Sequence, residues 1–580
     1  MFVEDLVKGF YDVILKTKIL ILANYDVDAI CAVKILQSIL RFDNIIYVLV
    51  PVKTLTELKK AYDEQKIDVK HVVLINCGGT IDIIEELEPD EDVIFFIIDS
   101  HKPTDVCNIY SSSQVRILAP PEDDESIPDF EDIFNENESS DDESDFNDID
   151  DDNNDTVEEQ QNKRRKLDQN ALIKRSNRRK WEENRKKLLF DYTQFTYYGR
   201  SSAILMFDLS WKLHRESIDL LWWGIVGVTE QYILGKTERM RYLKEVELIA
   251  GHIGRICESS INNDDVENMS QTLSKPSNTS IQLRIESEKD LLLALYRHWT
   301  IESSLRYSMF TAVSLKLWTI KGEKRLKQIL AEMGLPLAES RQMYHSMDLS
   351  LRKQFYGMME KISNAHNLLQ MTYPSFMLHQ GFKTRYQCAD YVYSMVATLE
   401  SNSRDKTPTE CFYNAMDSLS RSKKDLLDQG IEKAKWILTN MFRHVQAALD
   451  MKQVISAGPF YYLIVQEGTL HSYHYSNPHC LIMLASFALR AQVASTRKAK
   501  ATRLPLIASA SLDPEQETCL VIGIPPITET MPRSFFGKAF EQVANKTSID
   551  ISMDYFDSSI VKMQIKDRPR FFDALTALLS

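Results

Sequence analysis

Apolar and polar positions change rhythm several times along this chain, and each change marks a different kind of element. From Ile19 to Ala23 the residues are uniformly apolar; Asn24-Tyr25-Asp26-Val27-Asp28 then forms a polar turn, and Ala29, Ile30, Val33, Leu36 and Leu40 follow at helical spacing. That order predicts a buried strand, a tight loop carrying two aspartates, and a helix behind them. The alternation continues with Ile45–Val52 as a strand, Leu55–Gln65 as a helix, His71–Gly79 as a strand, a short helical stretch around Ile81–Leu87, and a strand within Asp92–Pro103. Continuous β-branched and aromatic runs indicate strands buried on both faces, hence a mainly parallel sheet.

From Trp181 to Cys257 the spacing is helical, with Trp211, Trp222 and Trp223 as core anchors. A polar linker, Asn262–Ser280, leads into a long region from Glu288 to Leu449 whose apolar residues recur every three or four positions, predicting an all-helical middle insertion. After Gly458 the texture changes again. Phe460–Gln466, RLPLIASA, TCLVIGIP, ISMDYF and SIVKMQIK read as strands, with helices near Pro478–Val493, Arg533–Asn545 and Arg568–Leu578. The expected organisation is an α/β domain from 1–120 and 181–257, an insertion at 121–180, a helical domain at 281–450 and a smaller α/β domain at 458–580.

Composition is that of a globular chain of 580 residues, 44% hydrophobic and 26% charged. The net charge of −14 is local in origin. Glu122 to Glu159 holds roughly twenty acids and no base, whereas Lys163 to Lys187 holds about a dozen bases against three acids. The acidic stretch, Glu122–Gln161, has too few apolar residues to offset the entropy of ordering and is expected to be disordered. Ser139, Ser140 and Ser144 lie among its acids, as acidophilic-kinase sites do. Lys163-Arg164-Arg165-Lys166 with Arg178-Arg179-Lys180 has the form of a bipartite nuclear-import signal. The opening MFVEDLVKGF carries acids where a secretory signal would carry positive charge, and no apolar run reaches membrane-spanning length. Eight cysteines without a CxxC pair point to reduced thiols.

Three strand ends carry polar groups that one sheet edge brings together: Asp26/Asp28, Asn76-Cys77-Gly78-Gly79 and Asp99-Ser100-His101-Lys102-Pro103. Carboxylates in such a loop suit a divalent cation, while the plainer reading has Asp28 capping the following helix and Asp26 solvated. These motifs resemble those of the DHH phosphoesterase superfamily, which includes the RecJ exonucleases. The resemblance implies two metal ions held by D-x-D-x-D-G, Asp-x-Gly and Asp-His-His sets. Here Asp26, Asp28, Asp99 and His101 match, but Asn24, Asn76 and Ser100 replace two acids and a histidine. Two divalent ions would bring a charge of about +4 against only three retained aspartates, so the pattern reads as a vestigial centre with no metal or other cofactor.

A narrower resemblance rests on MFVEDL, ANYDVDAICAVKIL, LINCGG, PDEDVIFFIIDSHKP and the acidic-then-basic insertion. These are similar to the cell division control protein 45 family. That resemblance implies a DHH-like domain, a helical insertion and a C-terminal domain of the DHHA1 type. It implies a nuclear, non-catalytic scaffold of the replicative helicase, partnered by the minichromosome maintenance hexamer and the GINS complex and having no membrane association. The alternative is a working RecJ-like, metal-dependent exonuclease on single-stranded DNA.

In the C-terminal domain, Ser476-Asn477-Pro478-His479 stands where active DHH relatives carry Gly-Gly-Gly-His, and retains only the histidine. His471, His474, His479 and Cys480 fit no common zinc-ligand spacing. Arg490, Arg497, Lys498, Lys500 and Arg503, with no acid between them and Tyr473 and Tyr475 nearby, are candidates for tracking a single-stranded DNA backbone.

Overall fold

The computed structural model describes the chain except residues 16, 68, 123–124, 135–175, 270–282, 367, 369, 381–383, 402–405, 469–470, 497–501 and 529–531, together with the side chains of 257–269. It is a mixed α/β molecule built on a parallel sheet.

The N-terminal sheet uses β1 (Ile19–Asn24), β2 (Tyr47–Val52), β3 (His71–Ile75), β4 (Ile94–Ile98) and β6 (Val115–Ile117), all parallel, in the order β2-β1-β3-β4-β6. β5 (His101–Lys102) pairs separately and antiparallel with β7 (Tyr197–Tyr198). β1 and β3 are buried almost throughout, as their unbroken apolar runs require. The register sets Ala23 beside Ile75 and Ile75 beside Ile98, so the polar groups after β1, β3 and β4 emerge side by side. Helices Val27–Phe42, Ser202–Lys212 and Ile218–Ile233 share one apolar core against the sheet, with Trp222 fully enclosed and Trp211 and Trp223 half-buried.

The middle region departs from the all-helical expectation. It is mostly helical, but β8 (Leu283–Leu291), β9 (Thr372–Gln380) and β10 (Thr384–Gln387) form a three-stranded antiparallel sheet, ordered β10-β9-β8. β8 reads LRIESEKDL, and most of its charged side chains face solvent, so it has the composition of a charged edge strand and lacks a strand-like apolar run. β9 carries the buried face.

The C-terminal sheet takes β11 (Ile455–Ser456), β12 (Tyr461–Ile464), β13 (Leu506–Asp513), β14 (Thr518–Ile524), β15 (Ile551–Ser552) and β16 (Ile560–Gln564) in the order β11-β12-β13-β14-β16-β15. Helices Pro478–Ser495, Phe536–Thr547 and Arg568–Leu579 complete this unit, close to the predicted set.

The acidic stretch is not disordered from its first residue. Glu125 is sealed in an ion pair with buried Lys102 at 3.2 Å, and its carboxylate accepts hydrogen bonds from Thr104 N and the Tyr192 hydroxyl. Ile133 enters a small apolar cluster with Ile109 and Tyr192. A charged run joins a fold where each acid finds a donor, and Glu125 does. Residues 123–124 and 135–161, with Ser139, Ser140 and Ser144, lie outside the described residues.

Candidate functional site

The strand-end aspartates converge, and each is claimed by a different part of the backbone. Asp26 occupies the N-cap of helix Val27–Phe42 and accepts from Ala29 N at 2.5 Å. Asp28, 1% exposed, caps a different helix from the one that follows it. Its carboxylate accepts from Ser201 Oγ (2.5 Å), Ser202 N (2.9 Å) and Ala203 N (3.0 Å), closing the N-terminus of helix Ser202–Lys212. This corrects the simple capping expectation: Asp26 sits at the N-cap, so Asp28 falls in the first turn and points away to the neighbouring helix. Helix Ile218–Ile233 passes close enough that a Cβ on Gly227 would lie 2.7 Å from Asp28 Oδ1.

Asn76 is the hub. Its backbone takes a left-handed φ of 51°, which asparagine tolerates better than most residues, and its side chain is fully buried. The amide Nδ2 donates to Asp26 Oδ2 (3.1 Å), Asp26 Oδ1 (3.2 Å) and Asp28 Oδ2 (3.2 Å). Its Oδ1 accepts from Ser100 N (3.1 Å) and Ser202 Oγ (2.5 Å). Ser100 therefore contributes its backbone. Asn24 lies at the margin, donating to Asp26 Oδ2 at 3.4 Å.

Asp99 accepts from Gly79 N (2.8 Å), His101 N (2.9 Å) and His101 Nδ1 (2.7 Å). A Cβ on Gly79 would stand 2.8 Å from Asp99 Oδ2, so this close approach needs glycine. Burial alone would lower the His101 pKa, but the Asp99 carboxylate overcomes it and holds the ring above the usual histidine value. Every carboxylate oxygen of Asp26, Asp28 and Asp99 thus accepts at least one hydrogen bond.

Two further residues belong to the site and were not singled out in the sequence: Glu230 and Lys236. Glu230 is fully buried on helix Ile218–Ile233, and Lys236 Nζ lies 2.7 Å from its Oε1 and 4.9 Å from the centre of the Tyr198 ring. Burial raises the Glu230 pKa to about 7, with Lys236 opposing and Asp26 adding to the rise. Burial also raises Asp26, again against the pull of Lys236. The C-terminal domain closes over this edge through Tyr198 OH to Asp557 Oδ2 (3.0 Å) and His479 Nε2 to the Tyr25 carbonyl (2.9 Å). Burial, reinforced by Lys236, lowers the His479 pKa to about 4, so the ring is neutral and donates one N–H.

This donor set does not suit the metal pair that the DHH resemblance implies. A cation needs lone pairs turned toward it, whereas the Asn76 amide directs hydrogens at both Asp26 and Asp28. Among the described residues, the only three histidine, cysteine or carboxylate ligand atoms lying within 4.8 Å of one another belong to Asp82, Asp105 and Cys107, none of them in this cluster.

The remaining sequence candidates are dispersed. Arg490 and Arg503 are exposed before and after a gap in which Arg497, Lys498 and Lys500 lie outside the described residues. Tyr473 is half exposed, but Tyr475 is buried against His444 and cannot stack on a base. Arg178, Arg179 and Lys180 are exposed on a helix spanning 176–193, while Lys163, Arg164, Arg165 and Lys166 fall outside the described residues. His471 and His474 flank Trp436, and Cys480 is buried. No helix among the described residues is long and apolar enough to cross a membrane.

A family model described as CDC45 matches residues 19–160 and 121–578. A relative from Homo sapiens, cell division control protein 45 homolog, is 39% identical over 584 residues, covering 100% of both chains. The chain belongs to the CDC45 family. Against cell division control protein 45 of Saccharomyces cerevisiae the identity is 25% over 635 residues, covering 95% of this chain and 94% of the relative. The crystal structure of CDC45 from Entamoeba histolytica matches with a TM-score of 0.68 at 21% identity, covering 100% of each chain. The fold described above is therefore the CDC45 fold, across the whole chain.

Proposed function

We propose that this CDC45-family chain is a non-catalytic scaffold subunit of the replicative DNA helicase, acting in the nucleus. Its partners on this reading are the minichromosome maintenance hexamer and the GINS complex, with single-stranded DNA a further ligand near Arg490 and Arg503. The observation that carries the non-catalytic part is the Asn76 amide, which donates to both aspartates that a metal-dependent phosphoesterase would turn toward its ions. Family membership over the full length supports the partner assignment, and the exposed Arg178-Arg179-Lys180 cluster is in keeping with nuclear import.

The purified protein is expected to leave single-stranded DNA intact in Mg²⁺ or Mn²⁺. Degradation that Asp26→Ala abolishes would overturn the non-catalytic reading and leave a RecJ-like exonuclease. Affinity purification from nuclei followed by mass spectrometry is expected to recover subunits of both partner complexes. Recovery of neither would overturn the scaffold assignment.

A further inference from the structure

Where the middle region meets the C-terminal domain, a cavity of about 300 Å³ opens beside Trp436, at the small end of ligand pockets. Three elements wall it. Helix Cys388–Leu399 ends at Glu400 and Ser401, and the turn Ser472–Ser476 brings in His474. Helix Lys424–Asp450 sets Glu432 and Trp436, then Lys433 and Ile437, four residues apart on one face. Glu400 is 4% exposed, and its Oε2 finds no hydrogen-bond donor among the described residues. Burial raises its pKa to about 7, against the pull of Lys53 and of the Cys480 and His479 N–H groups at the start of helix Pro478–Ser495. Both ring nitrogens of His474 are likewise buried without a partner. Burial, reinforced by His471, lowers its pKa to about 4, so the neutral ring presents one acceptor and one donor. Lys433 does not answer these acceptors, because its Nζ donates to Ser401 Oγ at 3.1 Å.

Trp436 is 38% exposed, although most apolar residues of its helix are buried. The His471 and His474 rings stand steeply to the indole, each with its centroid 4.6 Å away. Exposed tryptophan at the lip of a cavity is the kind of surface that a protein partner covers.

We propose that this cavity is a socket for one arginine side chain of a partner protein. The stem would lie along Trp436 and Ile437, while the guanidinium donates to Glu400 Oε2 and to the acceptor nitrogen of His474, with the indole face adding cation–π attraction. Arginine suits the site because it carries five donors in a plane, no acceptor and a permanent charge. An acidic side chain would meet Glu400 and Glu432, and a purely apolar one would leave Glu400 and His474 unanswered. The socket adds a point of contact to the scaffold assignment and owes nothing to the strand-end cluster.

The full chain, labelled with fluorotryptophan, can be titrated with acetyl-Gly-Arg-Gly-amide and with its citrulline and leucine counterparts. Citrulline keeps the shape of arginine and loses its charge. The fluorine signal that disappears in Trp436→Phe reports on the site. The arginine peptide is expected to shift that signal saturably and leave the other tryptophans unmoved, with the citrulline and leucine peptides about tenfold weaker or worse. Glu400→Gln should bring the arginine peptide down to the citrulline level. If that variant does not fold, the ratio of arginine to citrulline affinity in the wild type decides alone. None of these readouts depends on nuclease activity or on the recovery of partner complexes, so the socket and the scaffold assignment fail separately. No saturable shift, a citrulline or leucine peptide that binds as tightly as the arginine one, or an arginine preference that survives Glu400→Gln would each overturn the socket.

Discussion

Two buried acid centres in this molecule solve the same problem in different ways. In the middle region, Asp290 accepts from Leu291 N and the Tyr296 hydroxyl, each at 2.7 Å, and its other oxygen meets Arg297 Nη1 at 2.5 Å. Asp390 takes the N3 place of a capping box with Gln387, and His298 Nε2 lies 3.2 Å away. Each of these acids has its own neighbour. At the strand ends of the parallel sheet, Asp26, Asp28, Asp99 and Glu230 share Lys236, His101 and a set of neutral N–H and O–H donors. In the first centre each acid has a basic side chain against it, whereas the second gathers four carboxylates around fewer such groups and relies on hydrogen bonds. A buried aspartate is therefore no sign of chemistry by itself. The informative feature is an excess of acids held together by hydrogen-bond donors.

The largest expected effect breaks the balanced centre. Asp290→Asn keeps the shape but leaves Arg297, mostly buried, without its counter-charge, and should cost about 3–5 kcal/mol. Asp26→Asn removes an acceptor from a site with surplus negative charge and should cost only about 1–2 kcal/mol. Urea unfolding of both variants measures the contrast. Equal losses, or a larger loss for Asp26→Asn, would mean that the strand-end cluster is not overloaded with charge. Arg297→Met in the Asp290→Asn background should recover part of the larger loss, because the stranded cation is then gone.

A smaller effect, visible through pH, concerns the contact that the C-terminal domain makes with this edge. His479 has a folded pKa lowered to about 4, so its neutral form contributes stability above the unfolded value of about 6.5. That contribution is lost as pH falls from about 6.5 through about 4, because the unfolded chain takes up the proton first. His479→Gln keeps an N–H donor for the Tyr25 carbonyl and has no proton to gain. Its Tm should sit near the wild type at pH 7.5 and decline less steeply between pH 6.5 and 4. An unchanged acid slope would show that His479 is not the group that titrates.

Much of the parallel sheet was legible because buried strands have one cause and one signature. Ile19–Ala23 and the helix at Leu55–Gln65 fall where apolar runs and helical spacing place them. β8 was not legible, since a strand whose charged face meets solvent carries no apolar rhythm. The aspartates were visible as a cluster because strand ends of one sheet must lie together, but Glu230 and Lys236 arrive from a helix about two hundred positions later in the sequence. One signal did exist. Glu230 stands inside WWGIVGVTEQYI, an otherwise almost wholly apolar and aromatic helix, and a lone acid in such a run needs a buried cation. Spacing alone does not say which lysine. The turn at Gly235, which brings Lys236 back over the helix, becomes visible only in three dimensions.

The smallest expected effect sharpens the comparison from the acid side. Asn24 is half-buried at the margin of the cluster; its Oδ1 accepts from Tyr25 N at 2.7 Å and its Nδ2 lies 3.4 Å from Asp26 Oδ2. Asn24→Asp keeps the first bond and turns the second into a contact between two carboxylates. At a partly exposed site this should cost about 0.5–1 kcal/mol at neutral pH, the scale of a single screened charge pair. The added carboxyl would have a folded pKa raised by Asp26, so the loss should fade as pH drops through the ordinary aspartate range of about 4, where both states carry the proton. A double-mutant cycle identifies the source. In an Asp26→Asn background the repulsion has no partner, and Asn24→Asp should cost nothing measurable. If the cost persists there, the repulsion does not come from Asp26. If it is absent even in the wild type, the cluster has room for one more negative charge, and the surplus of acid over base at the strand ends is not what shapes this site.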